Sequence, residues 1–225
     1  METYGTGKLA TVSITKSHPG ILEHYRAVKR TQSGPPLEHE SLAEIEGGTN
    51  SPPDWPALLA NVVSLAPGTE NATQYEDAVE ALLSTVFYPE LAVPEKQVSI
   101  HEGRKRIDLT YDNVSRRGFF SWVSQHYHAP KIFVECKNYS GKIANPELDQ
   151  IAGRFSDRRG RVGLIVCRQF DDKNRFLQRC RDTADDGNGF IIALDDDDLR
   201  LLVEGRRQSG TSFPLLRDRF DQLIL

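Results

Sequence analysis

The 225-residue sequence has no apolar run that approaches the roughly 18 residues needed to span a bilayer. Its first residues lack the basic-then-apolar order of a secretory signal. Cysteine is scarce, since Cys136, Cys167 and Cys180 make an odd number in no metal-ligand spacing. These absences argue against a membrane protein and a disulfide framework, and they predict a cytoplasmic protein with no membrane partner.

Residues 1–70 have few signals of regular structure. Their Gly-, Pro-, Ser-, Thr- and Asn-rich stretches, such as "EGGTNSPPDWP", break helices and strands. Two short helices are predicted there, at 20–30 and at 54–65, the second with Asp54 as its N-cap. No internal repeat is visible. We therefore expect an irregular N-terminal arm or partner-binding segment over 1–70.

Hydrophobic periodicity sharpens from Thr73 onward. "TQYEDAVEALLSTVF" has helical spacing with Thr73 as its predicted cap, "KQVSIHE" predicts a strand, and "KRIDLTYD" alternates, which places Asp108 on the face opposite Ile107 and Leu109. Strands at "KIFVECKNY", "RVGLIVCRQF" and "GFIIAL" then alternate with helices, and "DDDD" at 195–198 is read as a helix start. The order α-β-β-β-α-β-α-β-α predicts an α/β protein with an antiparallel half and a parallel half.

An acid and a base lie together at the end of one hydrophobic strand, in "KIFVECKNYS". Because side chains alternate along a strand, Glu135 and Lys137 are expected on one face, with Val134 and Cys136 on the other. Two charges at the end of a buried strand are costly unless something uses them. Cys136 is expected to be a small core residue rather than a nucleophile.

Charge is unevenly distributed around this stretch. The whole chain carries a net charge of -4, yet residues 101–161 hold twelve Lys or Arg against seven Asp or Glu. Residues 1–73 hold five basic against eight acidic residues. Because local fields matter more to a polyanion than the net charge, the basic excess favours a nucleic-acid partner.

Four elements, taken in order, resemble a known nuclease family. The matching stretches are "YE" at Glu76, "RIDLTY" at Asp108, "VECKNY" at Glu135 and "ELDQIAGR" at Gln150. They resemble the PD-(D/E)xK, or restriction-endonuclease-like, nuclease superfamily, and especially its Mrr-like branch. The resemblance covers roughly residues 74–204.

The resemblance implies both a fold and a division of the chain. The expected fold is α/β, a restriction-endonuclease-like α-β-β-β-α-β core whose mixed sheet is flanked by helices, plus the irregular N-terminal arm. The nuclease domain is expected over 71–225. One departure is Ile107, which stands where the name of the motif places proline.

The expected site follows from the resemblance and from the needs of phosphodiester hydrolysis, which are a shielded phosphate, a nucleophilic water and a stabilised leaving oxyanion. Asp108 and Glu135 are hard carboxylates expected to hold Mg²⁺, with Mn²⁺ as a substitute and the backbone carbonyl of Cys136 as a further ligand. Lys137 is expected to orient the attacking water. Taken singly, Glu135 and Lys137 are also explained as an ordinary ion pair at a strand end.

Two further roles are implied by the resemblance alone. Glu76, preferred to Glu80 because it follows an aromatic residue, is expected to hold the metal or its water shell. Gln150 is expected to bind the phosphate or the attacking water, although a polar residue early in a helix needs no special role. The basic residues expected to contact nucleic acid are Arg104, Lys105, Arg106 and Arg154.

These expectations define a Mg²⁺-dependent endodeoxyribonuclease, acting in restriction or antiphage defence. Target recognition is expected to come from a partner protein, a homo-oligomer or the N-terminal arm. An RNA nuclease or a junction resolvase would use the same chemistry and stays open as an alternative. So does a catalytically inert nucleic-acid-binding or scaffold subunit with the same fold, although a scaffold has no need of Asp108, Glu135 and Lys137 together.

Overall fold

The computed structural model describes residues 53–100, 105–141, 145–209 and 213–225, with a few isolated positions before residue 25. These four ranges belong to a compact unit that spans Pro36–Leu225. The predicted helix at 20–30 lies almost entirely outside the described residues, and Arg104 lies outside them. Within the described ranges, no helix is long and apolar enough to cross a membrane.

Helices and strands follow one another along the described chain. The helices are α1 (Trp55–Ser64), α2 (Ala72–Phe87), α3 (Gly118–His126), α4 (Asn145–Ala152), α5 (Lys173–Asp185), α6 (Asp196–Ser209) and α7 (Pro214–Ile224). The strands are β1 (Leu91–Ile100), β2 (Lys105–Asn113), β3 (Lys131–Gly141), β4 (Val162–Phe170) and β5 (Phe190–Leu194).

The five strands form one mixed sheet in the order β1-β2-β3-β4-β5. The pairs β1/β2 and β2/β3 are antiparallel, whereas β3/β4 and β4/β5 are parallel and are joined through helices α4 and α5. Helix α2 packs on one face of the sheet, and α4 lies over the other. The predicted α/β fold, with its α-β-β-β-α-β core, is confirmed, and α3 is an additional helix between β2 and β3.

Helix α2 begins at Ala72, directly after a 3-10 turn formed by Thr69–Asn71. Its apolar stripe is buried against the sheet, and no side chain caps its first N–H groups. The predicted N-cap at Thr73 is therefore wrong, because the helix already starts at Ala72 and Thr73 lies inside its first turn.

Strand β1 is longer than predicted and starts at Leu91 rather than near Lys96. The register of its pairing with β2 shifts between Ala92 and Glu95, the segment that contains Pro94. Proline is tolerated there because β1 is an edge strand of this sheet and has no second neighbour to pair with.

Helix α1 lies in the predicted arm and packs on the body of the protein. Asp54 accepts a backbone N–H of the first turn and is its N-cap, as predicted. Val62 is fully buried, and the Arg168 guanidinium donates to the carbonyls of Val62, Val63 and Leu65. These bonds satisfy carbonyls that the end of the helix leaves without intrahelical donors. The domain boundary near residue 70 stays a prediction.

Candidate active site

The site lies where strands β2 and β3 stop pairing. Their regular ladder runs from Asp112 and Lys131 to Leu109 and Val134, and then ends. Asp108 and Glu135, one on each strand, are the next residues along. The alternation predicted from the sequence therefore brings these two carboxylates together at the point where the strands part.

Asp108 is fixed by the neighbouring strand. Its carboxylate oxygen Oδ2 accepts the backbone N–H of Cys136 at 3.0 Å. An N–H that has lost its ladder partner is costly to leave unpaired, and the carboxylate replaces that partner. This bond holds one oxygen of Asp108 against β3, next to Glu135.

Glu135 forms a closed triangle with Lys137 and Gln150. Its oxygen Oε1 accepts from Lys137 Nζ at 2.8 Å and from Gln150 Nε2 at 2.5 Å, and Lys137 Nζ also donates to Gln150 Oε1 at 3.1 Å. Only 1% of the Glu135 side chain is exposed, against 14% for Lys137. The amine therefore lies between a buried carboxylate and the solvent.

The second oxygen of Glu135 is buried and receives no hydrogen bond. It faces Nη1 of Arg154 at 3.3 Å, as an ion pair. Burial raises the pKa of Glu135, and the nearby Asp108 carboxylate raises that pKa further, while Lys137 and Arg154 oppose the shift. A second cation at this oxygen would offset both the cost of burying the charged carboxylate and the repulsion between Glu135 and Asp108.

The donor set fits a hard divalent cation. Asp108 and Glu135 present carboxylate oxygens, the ligands that Mg²⁺ prefers, and the Glu135 Oε2 atom lacks a donor. Within the described ranges, however, no three His, Cys, Asp or Glu side chains converge closely enough to hold a metal ion. A cation here would complete its coordination with water, substrate oxygens or a backbone carbonyl, for which that of Cys136 stays the predicted candidate.

Glu76 does not join this pair as a third direct ligand in the described structure. Its carboxylate instead accepts from the Gln97 side chain on β1. Burial raises the pKa of the Cys136 thiol, and the carboxylates of Asp108, Glu76 and Glu135 raise it further, so Glu76 still lies near the site. A role for Glu76 in a metal's water shell stays a prediction. Cys136 is half-buried and packs against the core.

Arg154 differs most from its expected place. It was predicted to contact nucleic acid, yet its side chain is buried, with donors directed at Glu135 and at two backbone carbonyls. We therefore correct its assignment from the nucleic-acid surface to the interior of the site. Arg106 is exposed, as a contact with a polyanion requires, while the side chain of Lys105 lies outside the described residues.

Tyr139 and Glu147 extend the site and were not among the predicted residues. The Tyr139 hydroxyl donates to Glu147 Oε1 at 2.8 Å. Burial raises the pKa of Tyr139, and the Glu147 carboxylate raises it further, so the phenol stays protonated. The signal was present in the spacing, because Tyr139 is two residues beyond Lys137 on the same strand face, and Glu147 is one helical turn before Gln150.

Comparison with known proteins adds little to this geometry. No protein-family model matches the chain, and no curated protein matches it. Among solved structures, the restriction endonuclease FokI is similar, with a TM-score of 0.49 and 12% sequence identity. The match covers 77% of this chain and 31% of that one, so this chain corresponds to less than a third of the FokI chain. A structural likeness at this level gives no information about the activity of this protein.

Proposed function

We propose that this protein is a Mg²⁺-dependent endonuclease that hydrolyses DNA phosphodiester bonds. The observation that carries the proposal is the convergence of Asp108, Glu135 and Lys137 where β2 and β3 part. Each residue taken alone has an ordinary structural explanation. Together they combine a paired carboxylate site with an amine that is only partly buried, which is the equipment that phosphodiester hydrolysis requires.

Each side chain has a chemical task in this proposal. A bound Mg²⁺ supplies Lewis acidity and lowers the pKa of a water molecule. Asp108 and Glu135 hold the cation. Lys137 is oriented by Glu135 and Gln150, and from there its amine donates to the attacking water or to a phosphate oxygen. Gln150 holds the side chains of Glu135 and Lys137 in a fixed relative position by hydrogen bonding to both.

DNA is the proposed substrate because of the charge around the site. Residues 101–161 contain the site strands and hold twelve basic against seven acidic residues. Such a local excess attracts the phosphate backbone, whatever the base sequence. A role in restriction or antiphage defence, with target recognition supplied by a partner or a second copy, is part of the same proposal, as is membership of the Mrr-like branch.

Cleavage of supercoiled plasmid tests the proposal directly. The purified protein is incubated with Mg²⁺, Mn²⁺ or EDTA, beside the variants Asp108→Asn, Glu135→Gln and Lys137→Met. We expect metal-dependent nicking or linearisation, reduced at least about 100-fold in each variant, because each removes a group that acts on the reacting phosphate or its metal. Matched RNA and four-way-junction substrates are tested alongside.

The chain offers matched controls on the same two strands. Lys131 and Asp112 form an ion pair at the opposite end of the β2/β3 ladder, at 2.5 Å. Lys131→Met and Asp112→Asn therefore repeat the chemical changes away from the site and should leave cleavage unchanged. Preferential cleavage of RNA or of four-way junctions would show that one of these, and not the proposed DNA, is the substrate. DNA binding without metal dependence or turnover would instead support the inert subunit.

A further inference from the structure

We propose that Arg154 is a positioning residue that fixes the geometry of the Asp108/Glu135 pair and so raises the affinity of the site for Mg²⁺ relative to its affinity for Mn²⁺. The inference rests on the proposed function, since it concerns the metal site of that enzyme. Arg154 contacts neither substrate nor metal in this proposal and acts through Glu135.

The guanidinium of Arg154 joins three separate parts of the site. Its Nε donates to the carbonyl of Arg106 on β2, two residues before Asp108. Its Nη1 donates to the carbonyl of Gln150 on α4 at 2.7 Å and lies 3.3 Å from Glu135 Oε2 on β3. One side chain therefore fixes both strands and the helix with respect to one another.

This connection lies beyond the end of the β2/β3 ladder, at a point where the backbone of β2 still pairs with β1 but no longer with β3. The β2/β3 ladder ends at Leu109 and Val134, so the carbonyl of Arg106 lies beyond the last pair. Arg154 satisfies that carbonyl from the side of α4. Beyond the ladder, this contact adds to the bond from Cys136 N–H to Asp108 in holding β2 and β3 together.

Arginine suits this task better than any other residue. Its guanidinium stays charged even when buried, and it presents donors in a fixed planar fork that can serve several acceptors at once. A buried charge is costly unless it is paired and hydrogen-bonded, and Arg154 has both kinds of partner with only 5% of its surface exposed. The segment that carries it is also fixed, since Arg159 donates to the Arg154 carbonyl at 3.1 Å.

Metal preference is the property most sensitive to such positioning. Mg²⁺ demands near-ideal octahedral geometry with short metal–oxygen distances, and it binds poorly to a distorted ligand set. Mn²⁺ takes the same class of carboxylate, carbonyl and water ligands, but as a larger ion with no ligand-field preference it tolerates a distorted ligand set better. Loosening the carboxylate pair should therefore weaken Mg²⁺ binding more than Mn²⁺ binding.

Metal binding without DNA tests this inference separately from cleavage. Mn²⁺ binding to the full chain is measured by electron paramagnetic resonance of free Mn²⁺, and Mg²⁺ binding by competition, for wild type, Arg154→Lys and Arg154→Met. We expect Mg²⁺ affinity to fall about 10-fold or more in Arg154→Met, with a smaller fall for Mn²⁺. Arg154→Lys keeps the charge but loses the planar fork of donors, so its Mg²⁺ affinity should lie between those of the wild type and Arg154→Met.

Arg161→Met is the matched control. Arg161 also pairs with one carboxylate, that of Asp157, and donates to one carbonyl, that of Gly187, but its side chain is 45% exposed. This variant should bind both metals as the wild type does. If Arg154→Met fails to fold, as judged by circular dichroism, Arg154→Lys alone decides the result.

The outcomes separate this inference from the proposed function. Equal gains in affinity for both metals in Arg154→Met would mean that Arg154 only repels cations. Equal losses for both metals, or no change, would mean that Arg154 does not shape the site. Each of these results overturns the inference. A wild type that binds metal but cleaves no nucleic acid would overturn the proposed function and leave the positioning role standing. A wild type that binds neither metal would overturn both.

Discussion

Asp108 on β2 accepts a hydrogen bond from the backbone N–H of Cys136 on β3, with 3.0 Å between oxygen and nitrogen. A side chain thus bonds across the gap where the regular ladder between the two strands has ended at Leu109 and Val134. The carboxylate has two tasks, since one oxygen supports the backbone of the strand that carries Glu135, and the charge is available to a cation. Substitutions of Asp108 can separate these tasks.

Asp108→Asn and Asp108→Ala should therefore differ in stability but not in metal binding. The asparagine keeps an oxygen that can accept from Cys136 N–H, so its free energy of unfolding should change by no more than about 0.5 kcal/mol. The alanine leaves that N–H unpaired and should cost about 1–3 kcal/mol. Both remove the charge of a proposed metal ligand and should abolish Mn²⁺ binding. Urea unfolding and a Mn²⁺ titration measure the two effects.

Asp112→Asn is the control for this pair, because Asp112 lies on the same strand and pairs with Lys131. It should retain Mn²⁺ binding and lose little stability, since that ion pair is partly exposed to solvent. Undiminished Mn²⁺ binding by Asp108→Asn would show that the cation does not use this carboxylate.

Gly163 on β4 allows α4 to approach the sheet. A Cβ added there would lie 2.7 Å from Cδ1 of Ile151 on α4 and 3.2 Å from the carbonyl oxygen of Phe133. Gly163→Ala should therefore lower the free energy of unfolding by about 1–3 kcal/mol through overpacking. It should also lower cleavage activity without touching a site residue, because α4 carries Gln150. Urea unfolding and plasmid cleavage are the measurements.

Gly205 provides the opposite case for the same substitution. It lies in α6, and an added Cβ would meet nothing within 4 Å. Gly205→Ala should stabilise the protein by about 0.5–1 kcal/mol, because alanine loses less conformational entropy in a helix, and it should leave activity unchanged. Similar changes in the free energy of unfolding in Gly163→Ala and Gly205→Ala would contradict the close approach of α4 to the sheet.

Local alternation was enough to predict the centre of the site. A period of two residues is a property of any strand, so the shared face of Glu135 and Lys137 could be read directly from the sequence, as could the position of Asp108 on β2. The helix start at "DDDD" could equally be predicted from the local sequence. It is confirmed, since Asp195 and Asp198 each accept the other's backbone N–H.

Properties that depend on tertiary packing could not be predicted in this way. Arg154 follows a helix in an arginine-rich stretch, where exposure is the usual expectation, and only the position of α4 over the end of β2 buries it. Helix α3, a stretch for which the sequence alone predicts no definite structure, forms because Phe119 and Phe120 pack into an aromatic cluster around Phe87 and Phe220.

Asn138 fixes the segment that follows α1 to the strand of the site. Its side-chain amide, 4% exposed, donates to the carbonyls of Ala66 at 3.1 Å and Gly68 at 2.9 Å. Asn138→Ala should remove this donor from the Gly68 carbonyl and leave that of Ala66 with the Asn71 side-chain amide as its donor. It should lower the free energy of unfolding by about 1–3 kcal/mol and accelerate limited proteolysis near residues 66–68. Asn188→Ala, at an exposed position, is the control and should change neither. Unchanged proteolysis in Asn138→Ala would contradict this role.

A charged network at the start of α6 should make stability depend on pH. Lys173 Nζ lies 2.8 Å from Asp195 and 2.7 Å from Asp198. Burial alone would raise the pKa of Asp195, but the bonds from Lys173 and from the backbone N–H of Asp198 outweigh it and hold that pKa below its ordinary value. Asp195 therefore stabilises the fold above the pKa of an unfolded aspartate, about 3.9, and this contribution is lost as pH falls through the lower folded pKa.

Lys173→Met should remove most of this contribution. At pH 7 it should lower the free energy of unfolding by about 1–2 kcal/mol, since Lys173 is partly exposed and its interactions are partly screened. The difference from wild type should shrink as pH falls through the folded pKa of Asp195, because protonation removes the attraction in the wild type as well. Urea unfolding at pH 7 and at about pH 3 measures this. Arg161→Met, whose ion pair is largely exposed, should show little effect at either pH, and a Lys173→Met difference that is the same at both would contradict the assignment.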